Sequence, residues 1–224
     1  MEYAINVKDL SFRWPDNPAF DLSVRNWQVN KGQKVFLYGP SGSGKSTLLN
    51  LLSGVLSGYL GQLRVLDCDF ASLNGAQRDQ FRAANIGMIF QQFNLLPYLT
   101  GLDNILLAEY FRPATKPAPQ NELLAQLCDK LQLSSSLLKQ SAATMSVGQQ
   151  QRIAVARALI NQPQLIIADE PSSALDSELR DRFIELLLDM TQANTVLFVS
   201  HDRSLATHFD THCNMPDLRG LSHL

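Results

Sequence analysis

Gly39-Pro40-Ser41-Gly42-Ser43-Gly44-Lys45-Ser46-Thr47 decides the reading of this chain. It fits G-x-x-x-x-G-K-[ST], the pattern of a phosphate-binding P-loop. Val35-Phe36-Leu37-Tyr38 before it is apolar and β-prone. Ser46-Thr47-Leu48-Leu49-Asn50-Leu51-Leu52 after it reads as the start of an amphipathic helix. The motif therefore sits at a strand–loop–helix junction, where its physics requires it. Three glycines let the backbone curl so that successive N–H groups point inward at a phosphate. The helix behind adds the positive end of its dipole. Lys45 then reaches the β- and γ-phosphates as a mobile point charge. The Ser46 hydroxyl takes the Mg²⁺ that bridges them. A plain Gly/Ser-rich turn is the alternative, and the flanking strand and helix argue against it.

Outward from the loop, Gln164-Leu165-Ile166-Ile167-Ala168 is a continuous apolar run, expected of a strand buried on both faces of a parallel sheet. It ends in Asp169-Glu170. Two carboxylates at the C-terminal end of a buried strand are costly unless they act on a ligand, and ligands bind at that end of doubly wound sheets. The first acid suits the Mg²⁺ shell; the second points the other way and suits proton abstraction from water. Thr195–Val199 is a further apolar strand, ending in Ser200-His201-Asp202. A histidine at the end of a strand beside the P-loop strand can reach a γ-phosphate. Pro171–Asp176 reads as a turn into a helix from Ser177 to about Thr191.

Nearer the N-terminus, residues 3–14 and 20–29 alternate apolar and polar around Pro15-Asp16-Asn17-Pro18, an antiparallel hairpin. Trp14 closes its first strand and could stack on a flat base, or serve as an edge aromatic. Gln62–Leu66 reads as a strand of the same small sheet, Ala76–Ala84 as a short polar helix, and Ile86–Phe90 as an apolar strand running into Gln91-Gln92. A glutamine there can offer an oxygen to Mg²⁺ or water, or be a satisfied turn amide. Residues 95–160 have helical character. Thr100-Gly101-Leu102-Asp103 resembles a capping box opening a helix to Tyr110. Arg112–Pro119 carries three prolines and reads as a loop. Glu122–Leu133 has apolar residues at helical spacing. Ser146 and Gln149 form S-x-x-Q, which makes Ser146 an N-cap and its helix start an anion site or an ordinary cap. His208 and His212 have i, i+4 spacing for a metal, but beside Asp210 a solvated, irregular surface is expected instead.

The 224 residues suit one large α/β domain carrying a subdomain, and 45% hydrophobic content supports a packed core. A formal net charge of −2 provides no basic field for nucleic acid or lipid. Cys68, Cys128 and Cys213 are scattered and in no C-x-x-C pair, as expected of free thiols in a reducing cytoplasm. The opening MEYAINVKDL lacks a cationic region followed by an apolar core, so no signal peptide is expected. The longest apolar stretches are too short to span a bilayer, so a membrane role would come through a partner chain.

These residues together resemble the ATP-binding subunit of an ABC transporter, over nearly the whole chain and in the family's motif order. Gly39–Thr47 matches Walker A, and Trp14 stands where the family has its adenine-stacking aromatic. Gln91 matches the Q-loop, Ser146–Gln149 the signature, Leu165–Glu170 Walker B with the catalytic glutamate, Ser173–Asp176 the D-loop and His201 the switch histidine. The FQQFNLLP stretch and compact length are most similar to the macrolide-export and lipoprotein-release ATPases; the cell-division ATPase of that group is close too. The resemblance implies an α/β P-loop core with a small antiparallel β subdomain and an inserted helical subdomain at roughly 92–160 of a single 1–224 domain. It implies ATP and Mg²⁺ as cofactors, with Ser46, Gln91 and Asp169 toward the metal. It implies nucleotide contacts from Trp14, Gly39, Pro40, Ser41, Gly42, Ser43, Gly44, Lys45, Ser46, Thr47, Gln91 and Asp176, and across the dimer from Ser146, Gly148 and Gln149. Glu170 is then the general base, with His201 and Lys45 acting on the γ-phosphate. Two chains, as a homodimer or an ATPase heterodimer, would sandwich two ATP molecules at the inner face of the cell membrane. A separate permease, with or without a periplasmic adaptor, would be the partner.

Three departures stand out. Met145 replaces the signature's usual leucine, a volume-conserving change. Val147 replaces its first glycine, at a first helical position where φ is negative. The tail after His201 lacks the usual glycine-marked closing strands. Two other function classes carry the same motifs: a mechanical signal to a periplasmic hydrolase, and a nucleic-acid-linked ABC ATPase. The single cassette and negative charge count against the latter.

Overall fold

The computed structural model describes residues 2–15, 17–113, 121–172 and 177–220. The stretch Ser173–Asp176 and most of the proline-rich segment lie outside them.

Strands β1 (Tyr3–Trp14) and β2 (Asn17–Asn30) form the expected hairpin, with Trp14 opposite Asn17. The second strand begins three residues earlier than the sequence pattern suggests. Strand β4 (Leu60–Val65) pairs antiparallel with β1, and short β5 (Cys68–Asp69) completes a sheet of order β2-β1-β4-β5. Leu66 and Asp67 adopt positive φ of 50° and 65°, which turns the chain out of β4 one residue before the expected end.

The second sheet is parallel. Its strands are β3 (Lys34–Tyr38), β6 (Ile86–Ile89), β7 (Leu165–Asp169), β8 (Thr195–Ser200) and β9 (Thr211–Asn214), in the order β6-β7-β8-β3-β9. Strand β7 is buried along its apolar run and β8 throughout, as continuous apolar runs demand. Edge strand β9 pairs with β3 from Val35 opposite Thr211 to Tyr38 opposite Asn214. The tail thus does contribute a closing strand. Its THCN sequence hides it, because an edge strand covered on one side needs no apolar run.

Helices α1 (Lys45–Leu52) and α2 (Gly75–Asn85) follow the loop and the small sheet. The helical block holds α3 (Gly101–Tyr110), α4 (Asn121–Lys130), α5 (Ser135–Leu138) and α6 (Val147–Leu159). Helix α7 (Ser177–Met190) lies between β7 and β8, and α8 (Met215–Leu218) follows β9. The helix read over 122–133 stops at Lys130. Gln132 takes φ 52°, and Leu133 N–H donates back to the Cys128 carbonyl at 2.8 Å, a Schellman-type closure that still buries Leu131 and Leu133. Thr100 caps α3 from the side chain, but Asp103 accepts from the Thr100 hydroxyl rather than from its backbone, so the box is half made.

Two apolar clusters flank the parallel sheet. One joins Val35, Leu37, Ile167 and Val199 to α1 and the small sheet. The other joins Phe36, Ile166 and Phe198 to Ile105, Leu127 and Ile153 of the helical block. The alternation within β3 sends Phe36 to one face and Val35 and Leu37 to the other. Packing on both faces fixes the C-terminal ends of β3, β7 and β8 beside one another.

Candidate functional site

At those strand ends lies a cleft of about 340 Å³ lined by Trp14, Ser41, Gly42, Gly44, Lys45, Ser46, Thr47 and Glu170. Gly42 (φ 75°) and Gly44 (φ 101°) take the left-handed backbone that the loop's curl requires. Gly44 is also the N-cap of α1, and no side chain caps that helix start. Lys45, 8% exposed, donates to the Gly39 and Pro40 carbonyls at 2.8 and 3.1 Å. The hydroxyl of buried Ser43 has no hydrogen-bond partner among the described residues. Trp14, 36% exposed, forms a T-shaped pair with Phe12, ring centroids 5.3 Å apart, and lines the cleft.

Strand β8 lies between β3 and β7, so Tyr38, Ser200 and Asp169 end in adjacent register. Burial first, then the neighbouring Glu170 carboxylate, push the Asp169 carboxyl above its ordinary range; Lys45 opposes them. Glu170 adopts φ 47° and donates its N–H to the Val199 carbonyl at 2.9 Å. A glutamate in this conformation is a strained exception. The backbone turn redirects its side chain, and Oε2 lies 3.0 Å from His201 Nδ1. An ionised carboxylate only accepts, so in that state the ring N–H donates. The structure thus brings His201 onto Glu170, a pairing that sequence spacing could not supply. Asp202 next to it is held by Arg180 of α7 at 2.5 Å.

Gln91 is exposed in the turn after β6 and is not among the residues lining the cleft. That turn is fastened from behind. Phe93 and Asn94 have positive φ, and their carbonyls accept from Arg157 of α6, at 2.7 Å for Asn94. Buried Asn104 bonds the Leu96 N–H and the Leu96, Leu99 and Thr100 carbonyls. Neither residue belongs to a motif; the one sequence signal for Arg157 is a cation within the otherwise apolar stretch 153–160.

Ser146 caps α6 with the full box: its N–H donates to Gln149 Oε1 at 2.9 Å, and its hydroxyl accepts from Gln149 N–H at 3.4 Å. Val147 is the first helical residue, free of positive φ and 47% exposed, as expected. A Cβ on Gly148 would meet nothing within 4 Å among the described residues. Met145 is buried, its Cε 2.9 Å from where a Cβ of Gly101 would stand. Ser146, Gly148 and Gln149 do not line the cleft of their own chain. Asp176 lies outside the described residues. His208 and His212 do not share one helix: His208 approaches Asp181 at 3.5 Å, while His212, in β9, faces the Ala206 and Phe209 carbonyls.

The donors fit a hard divalent cation. Ser46 and Asp169 present oxygen only, and the Asp169 carboxylate is destabilised where it stands. The left-handed glycines and uncapped helix start fit a phosphate chain.

Against known proteins, the family described as ABC transporter matches residues 22–173. The chain belongs to the ABC transporter family. It is 37% identical over 190 residues to "Lipoprotein-releasing system ATP-binding protein LolD 2" of Rhodospirillum rubrum, covering 83% of this cassette and 80% of that protein. It is 34% identical over 190 residues to "Macrolide export ATP-binding/permease protein MacB" of Haemophilus ducreyi, covering 84% and 27%. The cassette spans 58% and 54% of the putative ABC transporter ATP-binding proteins of Mycoplasma genitalium and Mycoplasma pneumoniae that it matches. The fold superposes with TM-score 0.77 and 30% identity on the post-hydrolysis dimer of the ATP-binding cassette MJ0796 bound to ADP and Pi, covering 94% and 93% of the two chains. No helix among the described residues is long and apolar enough to cross a membrane.

Proposed function

We propose that this cassette is the ATP-binding and ATP-hydrolysing subunit of an ABC system of the lipoprotein-release or macrolide-export type, a single domain over 1–224 with its helical subdomain at roughly 92–160. One observation carries the reading: the glycine loop after β3 and Glu170 after β7 line one cleft, and Glu170, turned by a left-handed backbone, meets His201 from the end of β8.

ATP lies with its phosphates on the N–H groups of 39–47 and its base against Trp14. Lys45 exchanges two neutral carbonyl acceptors for phosphate oxygens, a charge-assisted replacement. Ser46, Asp169 and Gln91 would hold Mg²⁺, which would supply neutralisation of phosphate charge. Glu170 takes the proton of the attacking water, and His201 holds its carboxylate in place toward the γ-phosphate. The exposed start of α6 faces outward, which suits a second chain's nucleotide. Ser146, Gly148 and Gln149 are the residues that would touch it, and Asp176 adds a further nucleotide contact. The cassette then works as a dimer, homomeric or with a second ATPase. It sits on the cytoplasmic face of the membrane through a separate permease, with a periplasmic adaptor in the export case, and needs no nucleic acid.

Glu170→Gln tests the assignment. It is expected to bind ATP normally and to hydrolyse it roughly 10²–10⁴-fold more slowly, the contribution of a general base. Turnover at the wild-type rate would make Glu170 structural.

A further inference from the structure

The P-loop has a support that its motif does not contain. Met215, fully buried at the start of α8, lies against Gly39: a Cβ there would come within 2.9 Å of Met215 Cβ. One turn further on, the Arg219 guanidinium forks. Its Nη1 donates to the Ser43 carbonyl at 3.2 Å, and its Nη2 donates to the Asp21 carbonyl of β2 at 2.6 Å. Asp21 is paired with Arg13, next to Trp14 on β1. The same cation therefore touches the phosphate loop and the strand pair that carries the aromatic.

We infer that Arg219 is a positioning residue for the nucleotide, acting through the Ser43–Gly44 peptide and through β2. This rests on the nucleotide reading above. In a trans peptide the C=O and the following N–H point in opposite directions. Gly44 lines the cleft and Ser43 does not, and the Arg219 donor on the Ser43 oxygen lies on the opposite side of that peptide from the Gly44 N–H. A charged donor on that oxygen polarises the peptide and strengthens the Gly44 N–H as a donor to an anion. The second arm fixes the loop against β2, which sets the distance between the phosphate wall and Trp14. A lysine keeps the charge but not the fork, and can serve one carbonyl well but not both in fixed geometry.

MgATP titration of the wild type, Lys45→Ala, Arg219→Ala and Arg219→Lys, with thermal unfolding of each, decides the matter. Arg219→Ala is expected to weaken ATP about tenfold, the size of losing a charge-assisted hydrogen bond. Its effect falls on KM more than on kcat, Arg219→Lys lies between it and wild type, and the Gly44 amide proton resonance moves upfield before nucleotide is added. Wild-type affinity in Arg219→Ala overturns the inference. So does a loss of affinity that merely follows a lowered Tm in both Arg219 variants, with the Gly44 resonance unmoved. If the wild type binds ATP no better than Lys45→Ala, the nucleotide reading itself fails, and this inference with it.

Discussion

Lys45 and Val147 occupy the same position in two helices, the first residue after the N-cap, and their surroundings differ. Lys45 is 8% exposed, follows a glycine cap that offers no side chain, and lines a cleft walled by Trp14 and Glu170. Val147 is 47% exposed, follows a serine that closes a complete capping box, and precedes a glycine with open space beyond it. One helix start leaves its N–H groups for a ligand inside the chain. The other is closed by its own capping box and leaves Val147 exposed. Gly148 illustrates the point: nothing among the described residues requires a glycine there. In the proposed dimer, that open space is where the partner's nucleotide would approach.

The contrast can be broken from either side. Gly148→Asp carries the largest expected effect among the outward-facing changes. A carboxylate against a partner's γ-phosphate should lower ATPase activity about 100-fold, since like charges juxtaposed cost several kcal/mol. ATP binding to each monomer should stay intact in a titration; weaker monomer binding would place Gly148 in its own chain's site. Trp14→Ala acts on the inner site and should weaken ATP by about 1–3 kcal/mol, the worth of one base stack. Unchanged affinity, with Trp fluorescence that ignores nucleotide, would return Trp14 to a merely structural role.

Asp169 sharpens the comparison through pH. Its pKa is raised in the folded chain, chiefly by burial. The folded state therefore holds this proton more tightly than the unfolded one, and the group's contribution to stability is fully present below its unfolded pKa and is lost as pH rises through its folded pKa. Asp169→Asn should raise the Tm of nucleotide-free protein at pH 7 and leave it nearly unchanged well below pH 4, while abolishing the Mg²⁺ dependence of ATP binding. An equal shift at both pH values would remove the electrostatic cause. Val147→Gly should do least. The reversion should stay within a few-fold of wild-type ATPase activity, about 1 kcal/mol or less. A gain of orders of magnitude would mean that the signature is degenerate and that this cassette is the weaker half of an asymmetric pair.

Much of this was legible before the structure because the motifs are local. A loop of fixed spacing, an apolar run ending in two acids and an S-x-x-Q box each carry their own geometry, and the structure places them on the elements they imply. What stayed hidden is what forms between segments. The β8 position between β3 and β7 brings His201 to Glu170, yet no spacing along the chain encodes strand order. The φ of 47° at Glu170 accompanies the bond of its N–H to the Val199 carbonyl, and the residue type does not encode it. Strand β9 escaped because half-exposed edge residues need no pattern, and Arg219 because its targets are backbone carbonyls, which any sequence offers.

In the proposed dimer, the start of α6 meets nucleotide only across the boundary between two chains. Sedimentation of Glu170→Gln, with and without MgATP, tests it most directly. The account predicts a monomer without nucleotide, a dimer at saturating MgATP, and a return to monomer with ATP still bound when Gly148→Asp is added. An ATP-loaded Glu170→Gln that stays monomeric, or a dimer indifferent to Gly148→Asp, would contradict it.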